Sequence, residues 1–421
     1  ARSVCAFFAS SVHSASDPLF GGRLDARGAV NDEQLKDLIP VYRDGLLNDV
    51  VPFWVSHGVD HEHGGFISSL GRDGTVLDTD KAMWVQGRFT WLLATLYLEV
   101  ERRPEWLDLA RHGIEFIRQH GFDDDGRMWF HVTREGQPIR KRRYVFTECF
   151  AAMANAAYAR ASGDDRAAED AVALLQTVRR HLSTPGLLPA KFVSGTRPMK
   201  SIGAPMILMN VGQVLRRTIG YAGAEELISE CVDEIRRDFV KPDERVVMEN
   251  VGSGGEILDH FDGRTLNPGH AMEAAWFILE EARVQGDAAL ASLGCSMLDW
   301  MWDRGWDEEH GGILYFRDLR GLPVQEYWHD MKFWWPHNEA VIATLLAHEL
   351  TGEPRYADMH ARVHEWTHRH FPDPGYGEWY GYLHKDGRVS VSLKGNMWKG
   401  PFHIPRMQLV CWQILERLRA R

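Results

Sequence analysis

Two histidines that lie far apart in the sequence both stand where a proton-transfer group could be placed. His270 ends the segment Asn-Pro-Gly-His, and His403 lies in Pro-Phe-His-Ile-Pro-Arg. Each is predicted to fall in the first turn of an apolar helix, where the helix dipole disfavours imidazolium. Neutral imidazoles can accept a proton near neutral pH, so two of them facing one pocket could remove a proton from one face of a carbon and return one on the other.

Local sequence signals support both helix starts. Asn267 can cap the first of these helices, and Pro268 suits its first position. Pro405 likewise suits the start of the last helix of the chain. The pattern therefore predicts helices over residues 268–285 and 405–420.

Three charged residues lie within predicted apolar helices. Arg88 follows Trp-Val-Gln-Gly, and Glu273 lies three residues after His270. Glu339 lies one residue past the position that corresponds to Arg88 in an internal repeat. A buried charge needs a partner or a cavity, so structural ion pairing is the rival explanation for each. Their occurrence together at equivalent helix starts favours a functional role.

The repeat and the helical patterns predict the architecture. Asp60-His-Glu-His-Gly-Gly-Phe and Asp307-Glu-Glu-His-Gly-Gly-Ile match, and each precedes a polar turn and an aromatic-rich helix. Helical spacing of apolar residues predicts about a dozen helices, over residues 33–57, 80–101, 104–120, 144–161, 164–182, 202–220, 223–239, 268–285, 287–304, 332–351, 354–370 and 405–420. Short and long connectors alternate, as expected for antiparallel helix pairs closed into a ring. We predict an all-α fold, a single (α/α)6 barrel over residues 31–421, with short β-hairpins in the loops at the catalytic end.

Composition excludes several classes of partner. The net charge of −11 argues against nucleic acid or an anionic membrane surface, since both require a basic face. The chain has no run of apolar residues long enough to span a membrane. The five cysteines are widely spaced without a CxxC pair, which predicts reduced core thiols in a cytoplasmic protein. Residues 1–30 are weakly similar to a short signal peptide, but their thin charge predicts a poorly ordered tail.

Other motifs point away from metal and nucleotide chemistry. His364-Glu-Trp-Thr-His368 matches the HExxH pattern of zinc proteases, but the helix stops at Pro372 and no second ligand helix follows. His61 and His63 lie in the repeated hairpin, where a turn role is expected. Neither GxxxxGK[ST] nor a suitably placed GxGxxG is present, which favours chemistry without a cofactor or a metal. Aromatic rings are abundant in the loops and suit the faces of sugars.

Four longer segments carry a resemblance to a known family. They are, in order, Asn267-Pro-Gly-His-Ala-Met-Glu-Ala-Ala-Trp, Asp330-Met-Lys-Phe-Trp-Trp-Pro-His-Asn-Glu-Ala, Asp373-Pro-Gly-Tyr-Gly-Glu-Trp-Tyr-Gly-Tyr-Leu and Leu393-Lys-Gly-Asn-Met-Trp-Lys-Gly-Pro-Phe-His-Ile-Pro-Arg. From about residue 33 to its end the chain resembles the N-acylglucosamine 2-epimerase family, also known in animals as renin-binding protein. The Phe-His-Ile-Pro-Arg segment is nearer to this branch than to the similarly folded cellobiose 2-epimerases and mannose isomerases.

The resemblance implies an (α/α)6 barrel, a homodimer, and interconversion of N-acyl-D-glucosamine with N-acyl-D-mannosamine, a sialic acid precursor. It also implies that His270 and His403 are the acid/base pair and that Arg88 and Glu339 are essential. Family enzymes are often stimulated by ATP through a basic loop before the block that is Gly195–Ser201 here. The preceding segment 184–191 is largely apolar and keeps only Lys191, which is the candidate nucleotide-effector residue.

A mechanism follows from the chemistry of the sugar. A C2 proton becomes removable only beside a carbonyl, so the ring opens to the aldehyde, deprotonation gives an enolate, and reprotonation from the other face inverts C2. His270 and His403 are expected to flank C2, with Arg88 stabilising the oxyanion. Glu339 and Glu273 would orient the histidines. The residues expected to bind the sugar are Glu273, Asn210, Lys332, Trp335 and Trp398.

Three alternatives stay open at this point. One is an epimerase or aldose-ketose isomerase that acts on an unmodified sugar such as mannose or cellobiose. Another is a glycoside hydrolase on the same barrel, which would use Glu339 and Glu273 as paired carboxylates. The third is a protein-binding module without catalytic activity.

Overall fold

The computed structural model describes residues 32–189, 191, 193 and 195–421 of the chain. The predicted tail, residues 1–30, lies outside the described residues. In chain order the α-helices are α1 (Asp32–Lys36), α2 (Ile39–Asp44), α3 (Val51–His57), α4 (Met83–Glu99), α5 (Pro104–His120), α6 (Phe146–Ser162), α7 (Asp165–Ser183), α8 (Gly203–Ile219), α9 (Ala224–Glu234), α10 (Phe261–Arg264), α11 (Pro268–Gln285), α12 (Ala288–Gly305), α13 (Trp334–Thr351), α14 (Pro354–His370) and α15 (His403–Arg419). Two π-helical segments, Gly45–Val50 and Ile235–Phe239, continue α2 and α9.

Short antiparallel strands occupy the long connections between the helices. In chain order they are β1 (Ser69–Leu70), β2 (Val76–Asp78), β3 (Lys81–Ala82), β4 (His131–Val132), β5 (Pro138–Arg140), β6 (Met199–Ser201), β7 (Val240–Lys241), β8 (Val246–Val247), β9 (Asn250–Gly252), β10 (Thr265–Leu266), β11 (Arg317–Asp318), β12 (Lys332–Phe333), β13 (Tyr382–Leu383) and β14 (Val389–Val391). They form sheets of two or three strands, paired as β1-β2, β3-β4-β5, β6-β9, β7-β8, β10-β11 and β12-β13-β14.

The helices form two concentric rings. Each inner helix contacts the next in the order α4, α6, α8, α11, α13, α15. The inner ring closes where Trp91 of α4 packs against Phe402, which precedes α15, with 5.5 Å between the ring centroids. In the outer ring, α5, α7, α9, α12 and α14 pack on the inner helix that precedes each of them, while α1, α2 and the segment Gly45–Val50 pack on α15. This confirms the predicted (α/α)6 barrel.

Burial distinguishes the two rings, as the helical patterns require. The inner helix α13 buries every residue from Trp334 to Glu349, because other helices cover it on all sides. The outer helix α14 buries one face, including Tyr356, His360 and Val363 at spacings of three and four residues. The inner helices are therefore covered by other helices on all sides, and a site at their first turns can be enclosed by the barrel.

The structure moves several predicted helix starts, including those near residues 80, 144, 332 and 405, and it divides the helix predicted over 33–57 into α1, α2, Gly45–Val50 and α3. The helix predicted from residue 80 begins at Met83, because Lys81 and Ala82 pair with β4 as strand β3. The last helix begins at His403, so Pro405 lies within its first turn rather than at its start. Pro104–His120 is the helix predicted over 104–120, since Pro104 sets its first position.

The repeated turn occurs four times in the described residues rather than twice. After α3, α5, α12 and α14 a single antiparallel bridge closes it, at Val59–Phe66, Phe122–Met128, Trp306–Ile313 and Pro372–Trp379. In three of the four turns the aspartate pairs with a buried lysine, as Lys81–Asp60 at 2.8 Å, Lys332–Asp307 at 2.8 Å and Lys394–Asp373 at 3.1 Å. The turn is thus a structural unit that braces the loops around the site.

Hydrogen bonds fix the register between two copies of the repeat. Gln86 lies three residues into α4 and accepts the backbone N–H of Phe66, and His337 lies three residues into α13 and accepts that of Ile313. In this register Arg88 and Glu339 each lie five residues after the first residue of their helix. The two are therefore equivalent, and the one-residue offset expected from the sequence is wrong.

The histidines of the HExxH match are part of a buried cluster between α14 and α2. The Tyr42 hydroxyl lies 2.7 Å from Nδ1 of His364 and 3.1 Å from Nε2 of His360. His368 stacks on His364 with 3.9 Å between ring centroids. Glu365, which would be the general base of a zinc protease, pairs instead with Arg369 on the exposed face. The motif therefore serves packing.

This cluster makes the fold sensitive to acid. Burial lowers the pKa of His360 to about 3 and that of His368 to about 4. Histidine in an unfolded chain titrates at about pH 6.5, so below that pH the unfolded chain binds more protons than the folded chain. Stability is therefore fully present above that pH and falls as the pH drops toward 4, by about 1.4 kcal/mol per pH unit for each such histidine.

Urea unfolding as a function of pH measures this effect. We expect His368→Gln to reduce the pH dependence of the free energy of unfolding by about 1.4 kcal/mol per pH unit in that window. His310→Gln, at an exposed position, is the matched control and leaves the slope unchanged. An unchanged slope in His368→Gln would show that this histidine does not titrate differently in the two states.

Two further observations concern the surroundings of the protein. The described cysteines, Cys149, Cys231, Cys295 and Cys411, are buried free thiols, which confirms the sequence prediction for these four. Within the described ranges, the helices are too short or too polar to cross a membrane.

Candidate active site

A cavity of about 540 Å³ opens at the end of the barrel where the inner helices begin. Both predicted histidines line it, although 133 residues separate them in the sequence. Arg88 and Glu273 also line it. The first turns of helices from opposite sides of the ring thus converge on one space, as the repeat predicts.

His270 is held by its helix cap and by a carboxylate. Asn267 accepts the backbone N–H of His270 at 3.2 Å, which confirms the predicted cap. Nδ1 lies 3.0 and 3.1 Å from the two carboxylate oxygens of Glu249. Burial lowers the pKa of His270, but the charge and hydrogen bond of Glu249, together with the charges of Glu273 and Glu339, outweigh burial, and the net shift is upward. Glu249 thus favours the charged form of His270, whereas the helix dipole favours the neutral form.

His403 is held by a different carboxylate. Its Nδ1 lies 2.7 Å from Oε1 of Glu339, so Nδ1–H donates and Nε2 keeps its lone pair toward the cavity. Burial, together with the positive charges of Arg406 and Arg88, holds the pKa of His403 well below its usual value. A neutral His403 agrees with the sequence prediction, although the helix dipole is not its main cause.

Arg406 joins the carboxylates beneath His403. Its Nη2 lies 2.5 Å from Oε1 of Glu273, 2.7 Å from Oε1 of Glu339 and 3.3 Å from Nδ1 of His403. Glu339 also accepts the indole N–H of Trp276 at 2.7 Å through its other oxygen. Burial opposes the Arg406 charge, but the two carboxylates outweigh it and raise the pKa of the guanidinium. Glu339 orients His403 as predicted, whereas Glu273 contacts Arg406 rather than a histidine.

The carboxylates and the imidazole beside Arg406 are close enough to bind a divalent cation. Ligand atoms of Glu273, Glu339 and His403 lie within 4.8 Å of one another. The Arg406 guanidinium contacts all three and supplies the compensating positive charge itself. This cluster is therefore a buried ion-pair network within the described residues.

Arg88 is a desolvated cation without a carboxylate at hydrogen-bond distance among the described residues. Its guanidinium lies 4.1 Å from the ring centroid of Phe150, 4.7 Å from that of Phe402 and 4.8 Å from that of Trp84. Its Nε is buried without a hydrogen-bond partner. Burial and the nearby Arg406 lower the pKa of Arg88 to about 9. A cation held among aromatic rings at a cavity wall is well suited to meet a developing oxyanion.

Aromatic side chains contact the two histidines. Trp335 packs against both, with its ring centroid 4.9 Å from that of His270 and 5.9 Å from that of His403. Trp398 also lines the cavity, and its backbone carbonyl accepts from Arg88 at 3.5 Å. The structure thus brings both predicted tryptophans to the site, where their faces can contact a sugar.

One sector of the cavity is apolar. Helices α6 and α8 contribute Phe146, Phe150, Met206 and Ile207 to the cavity wall, and none of these side chains is polar. The charged lining residues come instead from α4, α11 and α15. Substrate groups that face α6 and α8 therefore have to be apolar to avoid an uncompensated loss of hydration.

Two predicted substrate-binding residues lie elsewhere. Lys332 is fully buried and binds Asp307 at 2.8 Å, as Lys81 binds Asp60, so it braces the repeated turn. Asn210 lines a second cavity, of about 880 Å³, formed mainly by the C-terminal halves of the inner helices. Neither residue lines the cavity of the histidines, which corrects both predictions. An apolar sequence context predicts that a polar side chain is buried, but it does not predict which cavity or which partner that side chain meets.

Lys191 lies on the exposed connection between α7 and β6 and does not line the cavity of the histidines. The structure therefore separates the candidate effector residue from the candidate active site.

Two residues that touch the histidines were not among those predicted from the sequence. Arg406 stands three residues after His403, so helical spacing offered a signal for it. Glu249 stands 21 residues before His270 and precedes the short strand β9, a position with no periodic pattern. Only the folded chain brings it to the site.

Comparisons with known proteins identify the family of the chain. The family model described as N-acylglucosamine 2-epimerase (GlcNAc 2-epimerase) matches residues 65–404. The chain is 40% identical to the N-acylglucosamine 2-epimerase of Bos taurus, over 92% of this chain and 94% of that one. It is 23% identical to a cellobiose 2-epimerase of Bacteroides fragilis, over 86% and 95% of the two chains.

A solved structure shows the same fold at low identity. The cellobiose 2-epimerase of Bacillus thermoamylovorans superimposes with a TM-score of 0.79 at 19% identity, covering 90% of this chain and 99% of that one. The family match extends over most of the chain and includes His270, His403 and the carboxylates that hold them. The chain therefore belongs to the N-acylglucosamine 2-epimerase family.

Proposed function

We propose that the protein is an N-acyl-D-glucosamine 2-epimerase that interconverts N-acetyl-D-glucosamine and N-acetyl-D-mannosamine. The observation that carries the proposal is the pair of imidazoles that line one cavity, each bound to a carboxylate through Nδ1. This leaves Nε2 of each ring available at C2 of a bound sugar. The identity to the bovine N-acylglucosamine 2-epimerase supports the same reaction.

The reaction proceeds on the ring-opened aldehyde. Nε2 of one histidine takes the C2 proton, and the electron pair of the C–H bond moves into the C1–C2 bond as negative charge develops on O1. Arg88 stabilises this oxyanion. Nε2–H of the other histidine then protonates C2 on the opposite face, and the aldehyde reforms. No electrons leave the substrate, so the chemistry requires no redox cofactor, and Arg88 supplies the positive charge at O1 that a Lewis acid would otherwise supply.

The apolar sector favours an acylated amino sugar over an unmodified one. The methyl of an acetamido group can pack against Phe146, Met206 and Ile207. A hydroxyl in that position would lose its water without gaining a partner from these side chains. Trp335 and Trp398 contact the sugar, and Glu273 acts through Arg406.

The carboxylates argue against the glycoside hydrolase alternative. A hydrolase needs one of its two carboxyl groups protonated to act as an acid. Glu273 and Glu339 instead both bind the Arg406 guanidinium, at 2.5 and 2.7 Å, so neither is placed to protonate a leaving group. The epimerase or isomerase of an unmodified sugar remains the runner-up, because two histidines at C2 could serve it as well.

Product analysis separates these functions. We expect N-acetyl-D-mannosamine to be converted to N-acetyl-D-glucosamine with a kcat/KM on the order of 100-fold above that for mannose or cellobiose, since a mismatched polar group in an apolar subsite has about that effect. His270→Asn protein, purified in parallel, controls for contaminating epimerases. Equal or faster turnover of mannose or cellobiose would favour the runner-up, and release of free sugar from a glycoside would favour hydrolysis.

Membership of the family supports three wider proposals: a homodimer, a cytoplasmic location, and ATP as an allosteric activator acting near Lys191. The buried free thiols Cys149, Cys231, Cys295 and Cys411 fit a reducing compartment. The product N-acetyl-D-mannosamine would then serve as a sialic acid precursor. Light scattering tests the dimer, and initial rates with and without ATP, in the wild type and in Lys191→Ala, test the effector.

A further inference from the structure

The two candidate catalytic histidines differ in the charges that surround them. The Nδ1 of His270 faces both oxygens of Glu249, and among the described residues no cation competes for that carboxylate at salt-bridge distance. The carboxylate beside His403 belongs to Glu339, which Arg406 also binds. Among the described residues, Glu249 therefore pairs with His270 alone, whereas Glu339 pairs with both His403 and Arg406.

Charges from the neighbouring helices add to this difference. His270 faces Glu249 from the chain before β9, Glu273 from its own helix α11, and Glu339 from α13. His403 faces Arg406 of its own helix α15 and Arg88 of α4, with Glu273 and His270 of α11 beyond them. Carboxylates therefore dominate around His270, and cations dominate around His403.

The protonation of the two rings follows from these surroundings. Burial alone disfavours the charged form of both imidazoles. At His270 the carboxylates reverse this effect and raise the pKa, whereas at His403 the guanidinium groups reinforce it and lower the pKa. Of the two rings, His270 is therefore the one that holds a proton more tightly.

We infer that Glu249 is a positioning residue that holds His270 as imidazolium with Nε2–H toward the cavity, so that the resting enzyme carries its acid on α11 and its base on α15. The inference rests on the proposed function, because it assigns the two histidines their resting roles in that reaction. Glu249 contacts the substrate only through His270.

The proton balance of a turnover makes the assignment measurable. His403 takes the C2 proton and His270 gives its own, so the product leaves a pair with the proton on His403. Both directions of epimerisation use a singly protonated pair, so kcat/KM has the same bell-shaped pH profile in both directions. The alkaline limb of that bell reports loss of the proton that Glu249 stabilises.

Glu249→Gln isolates the charge of the carboxylate. Its amide oxygen can still accept from Nδ1 of His270, so the ring stays oriented while the negative charge is lost. We expect the titration midpoint of His270 to fall by roughly 1–3 pH units, the effect of one opposite charge at this distance. The alkaline limb of kcat/KM should fall with it, and kcat/KM should drop by roughly 10- to 100-fold, a part of what a general acid contributes.

Imidazole NMR of the protein without substrate gives the direct readout. Signals are assigned by their disappearance in His270→Asn and in His403→Asn, and Glu244→Gln, an exposed carboxylate on the preceding turn, is the matched control. The inference predicts that His270 titrates above His403 in the wild type and that Glu249→Gln alone lowers the His270 midpoint. An unchanged midpoint in Glu249→Gln, or a His403 that titrates above His270, would overturn it. Because no substrate is present, this result stands apart from the proposed function, which fails only if epimerisation itself is absent.

Discussion

His270→Asn and His403→Asn each abolish epimerisation, lowering kcat/KM by roughly 10²–10⁴-fold or more, which is what one general acid or base contributes. Each histidine acts on one face of C2, so neither can replace the other. Asparagine keeps a hydrogen-bonding group beside Glu249 or Glu339 but cannot carry a proton between solvent and carbon. Coupled assays in both directions measure the loss.

Exchange of the C2 proton with solvent gives the two variants different signatures. In His270→Asn the remaining His403 can remove and return a proton on its own face, so it exchanges the C2 proton of one epimer without inversion. In His403→Asn the remaining His270 should exchange the C2 proton of the other epimer, again without inversion. His384→Asn, an exposed histidine of the loop after β13, is the control and retains full activity. Full epimerisation in either active-site variant would contradict the two-base scheme.

Arg406→Met lowers the free energy of unfolding by roughly 3–5 kcal/mol, the cost of leaving buried charges without their partner. Glu273 and Glu339 both depend on this one guanidinium, and both are buried. Epimerisation is lost as well, since Glu339 can no longer hold His403 in its resting geometry. Urea unfolding at neutral pH measures the stability, and initial rates measure the activity.

Two further variants define the origin of the Arg406 effect. Arg406→Lys keeps the charge, but its shorter side chain has no nitrogen at the position of Nη2, which binds both carboxylates, so it should recover part of the stability and little of the activity. Arg369→Met removes an exposed pair with Glu365 and should change stability by only about 0–1 kcal/mol. If Arg406→Met also changed the free energy of unfolding by only about 0–1 kcal/mol, the ion pairs of Arg406 with Glu273 and Glu339 would not stabilise the barrel.

The helices could be predicted because their signals are local. Apolar spacing, Pro104 and Pro268 at first positions and the Asn267 cap each act within one turn, and the structure confirms the helices they predict. The helix predicted from residue 80 starts later, because Lys81 and Ala82 form strand β3, which pairs with the strand β4 about 50 residues further along the chain. Strand pairing of this kind leaves no periodic trace in the chain.

The site could be predicted in part for the same reason. His270, His403, Arg88 and Glu273 meet in one cavity because each lies near the start of an inner helix, and such starts were recognisable. Glu249 could not be found, because its approach to His270 depends on the path of the chain before β9. Lys332 was misplaced because a buried lysine beside a tryptophan gives the same pattern whether it binds a ligand or an aspartate.

The most direct test of the two-base mechanism is the fate of the C2 hydrogen in deuterated water. N-acetyl-D-mannosamine is incubated with the wild-type protein, and the product and the residual substrate are analysed by NMR and mass spectrometry at low conversion. The mechanism predicts one deuteron at C2 of the N-acetyl-D-glucosamine formed, while the residual substrate keeps its hydrogen. Product that retains the original hydrogen at C2, or equal deuteration of both epimers from the outset, would contradict proton removal and return by two histidines on opposite faces.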